Sequence, residues 1–281
     1  MCMFHVKKME VNDFPFAVKL ANTENWNMTV EDFEFMLKLE PQGCFVQFHG
    51  NEPVGIATTI SFEKVGWLGN FILKEDTRGK GAGDLLLKHA INYLKQKRVE
   101  TIGLYAYPQL EKFYQSFGFK TDIDFLVMKG KAAFSATQGM IAEAIKQDLP
   151  EIVNLDCKCF GASRKKLLEP ILLKRGNLCY ISNENKEIIG CVVAKIYDIM
   201  AEVGPLICRT NRVEVAALLL KSVFNRLIGL DVFIYMPKKE KRLLKMLFKM
   251  GFEKDFRVIR MFLRPAIPKS YIYTAESLER G

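Results

Sequence analysis

Apolar positions along the chain recur at two spacings, and each change of spacing marks an element. Apolar residues three and four apart over Asp13 to Glu24 and Thr29 to Leu39 predict two amphipathic helices. Short apolar runs at Cys44 to His49, Val54 to Phe62, Trp67 to Leu73 and Thr101 to Tyr107 predict strands. Asn51-Glu52-Pro53 reads as the turn between the first two strands. A further helix is predicted around Leu85-Leu86-Leu87-Lys88. The later half gives the same order. Helices are predicted near Leu149 to Cys159 and Arg164 to Lys174, and strands near Leu178 to Ser182, Ile188 to Ile196, Val203 to Cys208 and Asp231 to Met236. Asn183 to Lys186 is the matching turn.

The order recurs because the sequence does. Leu85-Leu86-Leu87-Lys88 reappears as Leu218-Leu219-Leu220-Lys221, and the same shift of 133 carries Gly118-Phe119 onto Gly251-Phe252 without a gap. Strands outnumber helices before each central helix. That pattern suits a mixed sheet with helices on both faces, so the predicted class is α/β, of the mixed α+β sheet kind, built twice. Gly130 to Gly139, rich in small residues, is the expected link, with the boundary near 135 and modules of 1–132 and 133–281.

Composition narrows the class. Of 281 residues, 49% are hydrophobic and 26% charged, which suits a globular chain with a real core. The best apolar stretch, Ile188 to Met200, is broken by Lys195 and Asp198, short of the ~18 residues a membrane helix needs. Lys7 and Lys8 follow a short start without the apolar block of an export signal, so a cytoplasmic location is expected. The seven cysteines (2, 44, 157, 159, 179, 191, 208) are an odd number and predict reduced thiols rather than a disulfide framework. The three histidines, His5, His49 and His89, stand at no ligand spacing, and no metal site is expected. The net charge of +9 is uneven: residues 1 to 130 hold 15 Lys+Arg against 16 Asp+Glu, and the rest hold 26 against 16. A solvated basic face, notably Lys238-Lys239-Glu240-Lys241-Arg242, accounts for this excess better than a nucleic-acid partner, since no base-reading motif is present.

The stretch from Asn70 to Leu87 carries chemistry. An apolar strand ending Phe71, Ile72, Leu73 runs into Arg78-Gly79-Lys80-Gly81-Ala82-Gly83 and then into an amphipathic helix. Glycines let the backbone curl and a ligand approach, while the following helix start points its amide hydrogens and dipole outward as an anion site. Arg78 and Lys80 add positive charge. Such a loop suits a pyrophosphate. A P-loop would end in Gly-Lys-Ser/Thr, whereas Gly83 is followed by Asp84 and Leu85. A dinucleotide fingerprint would sit in a first βαβ unit, but here several elements precede the loop.

What fits is Arg/Gln-x-x-Gly-x-Gly/Ala after a mid-chain strand, followed by Tyr-x-x-x-Gly-Phe, here Tyr114-Gln115-Ser116-Phe117-Gly118-Phe119. Through these residues the chain resembles the GNAT superfamily of acyl-CoA-dependent N-acetyltransferases. The shift of 133 maps the glycine loop onto Asn211-Arg212-Val213-Glu214-Val215-Ala216 and Tyr114 onto Leu247. Glycines and phenol are both lost there, which resembles the tandem GNAT proteins whose C-terminal module is divergent. The stretch from Gly251-Phe252 to Arg260-Met261 is similar to that module.

The resemblance implies an enzyme that uses acetyl-CoA as co-substrate, needs no metal, and acetylates a primary amine of a small molecule or protein. It assigns the backbone of Phe71 and Leu73, flanking Ile72, to the pantetheine arm and thioester, the amides of Gly79 to Gly83 to the pyrophosphate, and Tyr114 to the general acid. Tyr107, followed by Pro108, stands at a cofactor-binding position where many members carry Asn, so the contact there differs. Glu63 and Glu75 are the nearest carboxylates for a base, and exposed surface carboxylates are the competing explanation. A non-catalytic acyl-CoA sensor is the alternative reading. No membrane association is expected, and the oligomeric state, a homodimer included, is left open.

Overall fold

The computed structural model describes residues 3–136, 141–209, 212–264 and 272–281. The first repeat forms β1 (Phe4–Lys8), α1 (Phe14–Ala21), α2 (Val30–Leu39), β2 (Cys44–His49), β3 (Glu52–Phe62), β4 (Val65–Leu73), α3 (Ala82–Gln96), β5 (Thr101–Ala106), α4 (Glu111–Ser116) and β6 (Phe119–Lys131). The second forms β7 (Ile141–Glu143), α5 (Leu149–Phe160), α6 (Lys165–Leu173), β8 (Leu178–Glu184), β9 (Glu187–Tyr197), β10 (Met200–Cys208), α7 (Val213–Phe224), β11 (Asp231–Pro237), α8 (Lys241–Lys249), β12 (Glu253–Leu263) and β13 (Ile272–Thr274). Both leucine runs lie in the central helices, α3 and α7.

Local chemistry sets the ends of these elements. Thr29 caps α2 reciprocally: its hydroxyl accepts from the Asp32 N–H at 3.3 Å, and the Asp32 carboxylate accepts from the Thr29 N–H at 2.8 Å. The hairpin between β2 and β3 turns at Gly50 and Asn51, with Gly50 at φ +62°, one step before the expected Asn51-Glu52-Pro53. Pro53 lies inside β3 opposite Phe48, beside a shift of register, where a residue without an N–H is tolerated. The matching hairpin turns at Asn185 and Lys186, both at positive φ.

Contacts divide the chain into two compact units, one running to Leu104 with Arg280, the other Tyr105–Glu279 with Gly281. This division differs from the sequence repeat because of β6. That strand ends the first repeat, yet it pairs antiparallel with β11 from Phe125↔Pro237 to Lys131↔Asp231, and with β12 from Phe119↔Leu263 to Lys129↔Glu253. Gly130 therefore belongs to a strand and not to the link. A Cβ there would come within 2.7 Å of the Phe252 ring, so glycine is required by packing. Of the expected link, residues 137–140 lie outside the described residues.

In the first unit the strand order is β1-β2-β3-β4-β5, antiparallel except for the parallel β4–β5 pair. Nearly every residue of β4 is buried, as expected for a strand covered on both faces. α3 buries Leu86, Leu87, Ala90, Ile91 and Leu94, and Gly66 lies so close beneath that a Cβ would be 3.0 Å from a Leu94 methyl. In the second unit the order is β12-β6-β11-β10-β9-β8-β7, with β13 on β10. Its core joins Leu219, Leu220, Val223 and Phe224 of α7 and Leu247 of α8 to Val192, Val203 and Ile234 of the sheet.

Candidate functional site

Two irregularities in β4 create the site. Against β3 the register runs Ile56↔Ile72 and then Thr58↔Gly69, which leaves Asn70 and Phe71 facing the single residue Ala57. This is a β-bulge, and it bends the strand. Asn70 absorbs the bend at φ +45°, a conformation Asn tolerates better than most residues, and its buried amide donates to the Thr58 hydroxyl at 3.1 Å. On the other edge the parallel ladder with β5 contains Val65↔Thr101, Gly66↔Ile102 and Trp67↔Gly103. Leu68 and Leu104, next along, are not a pair, so the strands part there. A strand edge released from its neighbour offers amide and carbonyl groups to an extended, amide-bearing ligand. Phe71, half-buried, and Ile72 and Leu73, both buried, lie on this released end. Trp67 is core, at 1% exposure.

A short 3-10 turn, Glu75–Thr77, leads from β4 to the loop. Gly79 and Gly81 hold φ +75° and +83°, and a Cβ at either would meet nothing within 4 Å. The left-handed backbone, not crowding, calls for glycine here, and the loop's outer side is open. Gly81 is the N-cap of α3 without a side-chain oxygen, so Ala82 and Gly83 begin a 15-residue helix whose first-turn amides have no side-chain cap. Such amides, backed by the helix dipole, form an anion site. Lys80 is exposed beside them. Arg78 is committed elsewhere: its Nη2 pairs with Glu24 Oε1 at 2.7 Å and its Nε donates to the Leu73 carbonyl at 3.1 Å. It ties the loop to the end of β4, and the free positive charge expected of it is partly neutralised.

Tyr107 and Tyr114 belong to the second unit. Tyr107 precedes the 3-10 turn Pro108–Leu110 and stacks at 5.7 Å on Phe256. Tyr114, 4% exposed in α4, lies between the rings of Phe113 and Phe119 at 5.2 and 5.9 Å. Burial pushes its phenol well above the usual tyrosine range, so it stays protonated throughout the neutral region. Glu63 and Glu75 are exposed at opposite ends of β4, Glu63 beyond the end that is still paired to β5.

The second repeat has the same parting strands, and there the gap is filled. β10 pairs with β11 from Met200↔Asp231 to Val203↔Ile234 and then shifts register against β9. From that point β13 pairs with β10, as Leu206↔Thr274 and Ile207↔Ile272, while the Ala275 N–H donates to the Tyr235 carbonyl of β11 at 2.9 Å. The Leu206 N–H donates to the Thr274 hydroxyl at 2.8 Å. At Gly204 a Cβ would lie 1.9 Å from the Ala275 carbonyl oxygen. A buried ion pair locks the segment: Lys195 Nζ lies 2.6 Å from Glu276 Oε1, 2.7 Å from the Glu276 carbonyl and 3.0 Å from Glu202 Oε2. Of the residues matching the glycine loop, Asn211 lies outside the described residues. Arg212 pairs with Glu184 at 2.6 Å, and α7 begins at Val213. Leu247, the counterpart of Tyr114, is fully buried core.

Asn70, which by sequence lies near the strand expected to face the acceptor but carries no catalytic role there, is the residue on which the bulge turns. The signal was Gly69-Asn70 inside an apolar strand, a pair that marks a bulge.

Residues 8–119 match the family described as "Acetyltransferase (GNAT) family", and residues 152–274 match "Acetyltransferase (GNAT) domain". The chain is a tandem GNAT protein. It belongs to a family of acyltransferases, and no member-specific donor or acceptor follows from that alone. The tandem GNAT chain is 24% identical over 282 residues to the holothin acyltransferase of Pseudoalteromonas sp. (strain SANK 73390), covering 98% of this chain and 94% of that protein. Its fold resembles that of a putative acetyltransferase from Pyrococcus horikoshii, with TM-score 0.81 at 23% identity over 99% of this chain and 96% of the other. It also resembles a tandem GNAT protein from the clavulanic acid biosynthesis pathway, with TM-score 0.63 at 11% identity over 94% of this chain and 100% of the other. Among the described residues no helix is long and apolar enough to cross a membrane.

Proposed function

We propose that this tandem GNAT protein transfers an acetyl group from acetyl-CoA to the primary amine of a small molecule or protein, with the donor bound only in the first module. Module boundaries at 1–132 and 133–281 are part of this reading, as is a cytoplasmic setting. The observation that carries it is the contrast between an open glycine loop beside a released strand edge in the first repeat and a filled gap without glycines in the second. The amides of Gly79 to Gly83 suit the diphosphate, with Lys80 alongside, and the β4 backbone at Phe71 and Leu73 suits the amide-bearing arm. Acetyl-CoA brings the activated thioester. The protein supplies orientation, donors for the carbonyl oxygen, and a proton for the departing sulfur.

Tyr114 is the proposed proton source. Its phenol is neutral in the resting enzyme and so holds a proton to share with the departing sulfur as negative charge builds there; burial, which raises its pKa, favours a hydrogen bond to that sulfur over complete transfer. The amine must arrive deprotonated. Glu75 lies nearer the donor loop along the strand than Glu63, and neither is assigned as base. The relative's name, holothin acyltransferase, favours a small-molecule amine over a protein one.

Calorimetry with acetyl-CoA, followed by release of free thiol across an amine panel, tests the proposal. One equivalent of bound acetyl-CoA and amine-dependent thiol release are expected. Absence of binding overturns the reading, and binding without thiol release for any amine favours the acyl-CoA sensor.

A further inference from the structure

α3 presents the donor amides on its first turn, and buried polar side chains anchor it at both ends. At its far end Glu40, 3% exposed, accepts from the Tyr93 hydroxyl at 2.5 Å and from the Ser61 N–H and hydroxyl at 3.0 and 2.8 Å, and pairs with Lys97 at 3.3 Å. At the near end the anchor is Gln47, fully buried in β2 between the apolar residues Val46 and Phe48. Its Nε2 donates to the carbonyl of Ala82, the first residue of α3, at 2.9 Å.

Its register partner on β3 is Gly55, whose missing side chain lets Leu73 pack close by. A Cβ on Gly55 would lie 2.3 Å from a Leu73 methyl and 3.4 Å from Gln47 Oε1. Among the described residues, Gln47 Oε1 has no hydrogen-bond partner. Burying an unsatisfied acceptor costs about 1–3 kcal/mol, a penalty that Met, of similar length, avoids. Core filling therefore does not explain an amide here, whereas the bond to Ala82 does.

We propose that Gln47 is a positioning residue for the donor site: by holding the Ala82 carbonyl from below, it keeps the N–H groups of residues 81 to 83 aimed at the donor's diphosphate. This rests on the reading of the first module as the acetyl-CoA site. Ala82 follows directly on Gly81, whose backbone resists rotation less than that of any other residue. A fixed carbonyl at Ala82 removes the freedom that the glycine introduces.

The test compares wild type, Gln47→Met and Gln47→Glu by acetyl-CoA calorimetry between about pH 5 and pH 8. Affinities are taken as ratios to wild type at each pH, with thermal melts alongside. Gln47→Met is expected to weaken binding about tenfold, the loss of roughly one well-placed hydrogen bond. With an accepted amine, KM for acetyl-CoA rises by the same factor and kcat at saturating donor is unchanged. Gln47→Glu is expected to bind worse still towards the alkaline end of the range, as its carboxyl, held above the usual carboxylate range by burial, ionises, can no longer donate to Ala82 and repels the diphosphate. It recovers towards wild type at pH 5, where the protonated acid donates as the amide does. Affinity unchanged in both variants, or lowered in Gln47→Glu without recovery at low pH, overturns the role of Gln47. A wild type that fails to bind acetyl-CoA overturns the donor-site reading instead, so the two failures are distinguishable. If Gln47→Glu does not fold, Gln47→Met with its KM-against-kcat split decides alone.

Discussion

The two repeats part the same pair of strands and use the gap in opposite ways. In the first, β4 bulges at Asn70, leaves β5 after Trp67↔Gly103, and ends beside a loop whose glycines adopt φ +75° and +83° with open space around them. In the second, β10 leaves β11 after Val203↔Ile234, and the chain's own Ile272 to Glu276 takes the vacated edge. A parted pair of strands is thus a generic receptor for an extended chain with amides. On the proposed reading, what makes one a donor site and the other a structural joint is the occupant, together with the glycine loop that only the first retains.

Four substitutions and one matched control in the second repeat probe that contrast, in decreasing order of effect. Tyr114→Phe removes the proposed acid and is expected to lower kcat by roughly 10²- to 10⁴-fold with little change in acetyl-CoA affinity. The matching change in the second repeat, Leu247→Ala, should alter only stability. Because burial raises the Tyr114 pKa above its unfolded value, its stabilising contribution is intact below about pH 10 and is lost as pH climbs beyond that. Rate profiles up to about pH 9 should therefore show no alkaline fall due to this group. An intact kcat in Tyr114→Phe would remove the acid from the scheme.

Lys195→Met removes the Lys195 ammonium from the buried Glu276 and should cost about 3–5 kcal/mol in denaturant unfolding while leaving acetyl-CoA affinity unchanged. Coupled loss of binding would mean that the two gaps are not functionally separate. Gly81→Val forces a β-branched residue into a left-handed conformation at a position with ample room. Affinity for acetyl-CoA should fall roughly 100-fold, about 2.7 kcal/mol, with the fold preserved by circular dichroism. Thr274→Val, the mildest, deprives the Leu206 N–H of its partner and should lower stability by about 1–3 kcal/mol, again without touching the donor site.

Legibility followed the range of the interaction. The glycine loop is visible in sequence because its conformation is set residue by residue. The helix starting at Thr29 and the leucine runs on α3 and α7 are visible for the same reason. Features that depend on a distant neighbour are not. Gly130 reads as a link until Phe252 is found against it, Arg78 reads as added positive charge on the loop until Glu24 and the Leu73 carbonyl are seen to hold it, and nothing singles out Gln47 until its side chain is seen to donate to Ala82. The filled second gap was legible only in part. Loss of the glycines is plain in the sequence, but nothing in the local pattern of Ile272 to Glu276 announces a strand that fills the gap beside β10.

β6 sets a limit on how this protein can be dissected. Its hydrogen-bonding partners on both edges, β11 and β12, are encoded after residue 230. A fragment cut where the sequence repeat ends would carry a 13-residue strand with neither edge satisfied, prone to pair with other copies of itself. The two repeats are therefore not two finished proteins on a tether: the strand that ends the earlier one is completed by the later one, so the pair has to be made and folded together.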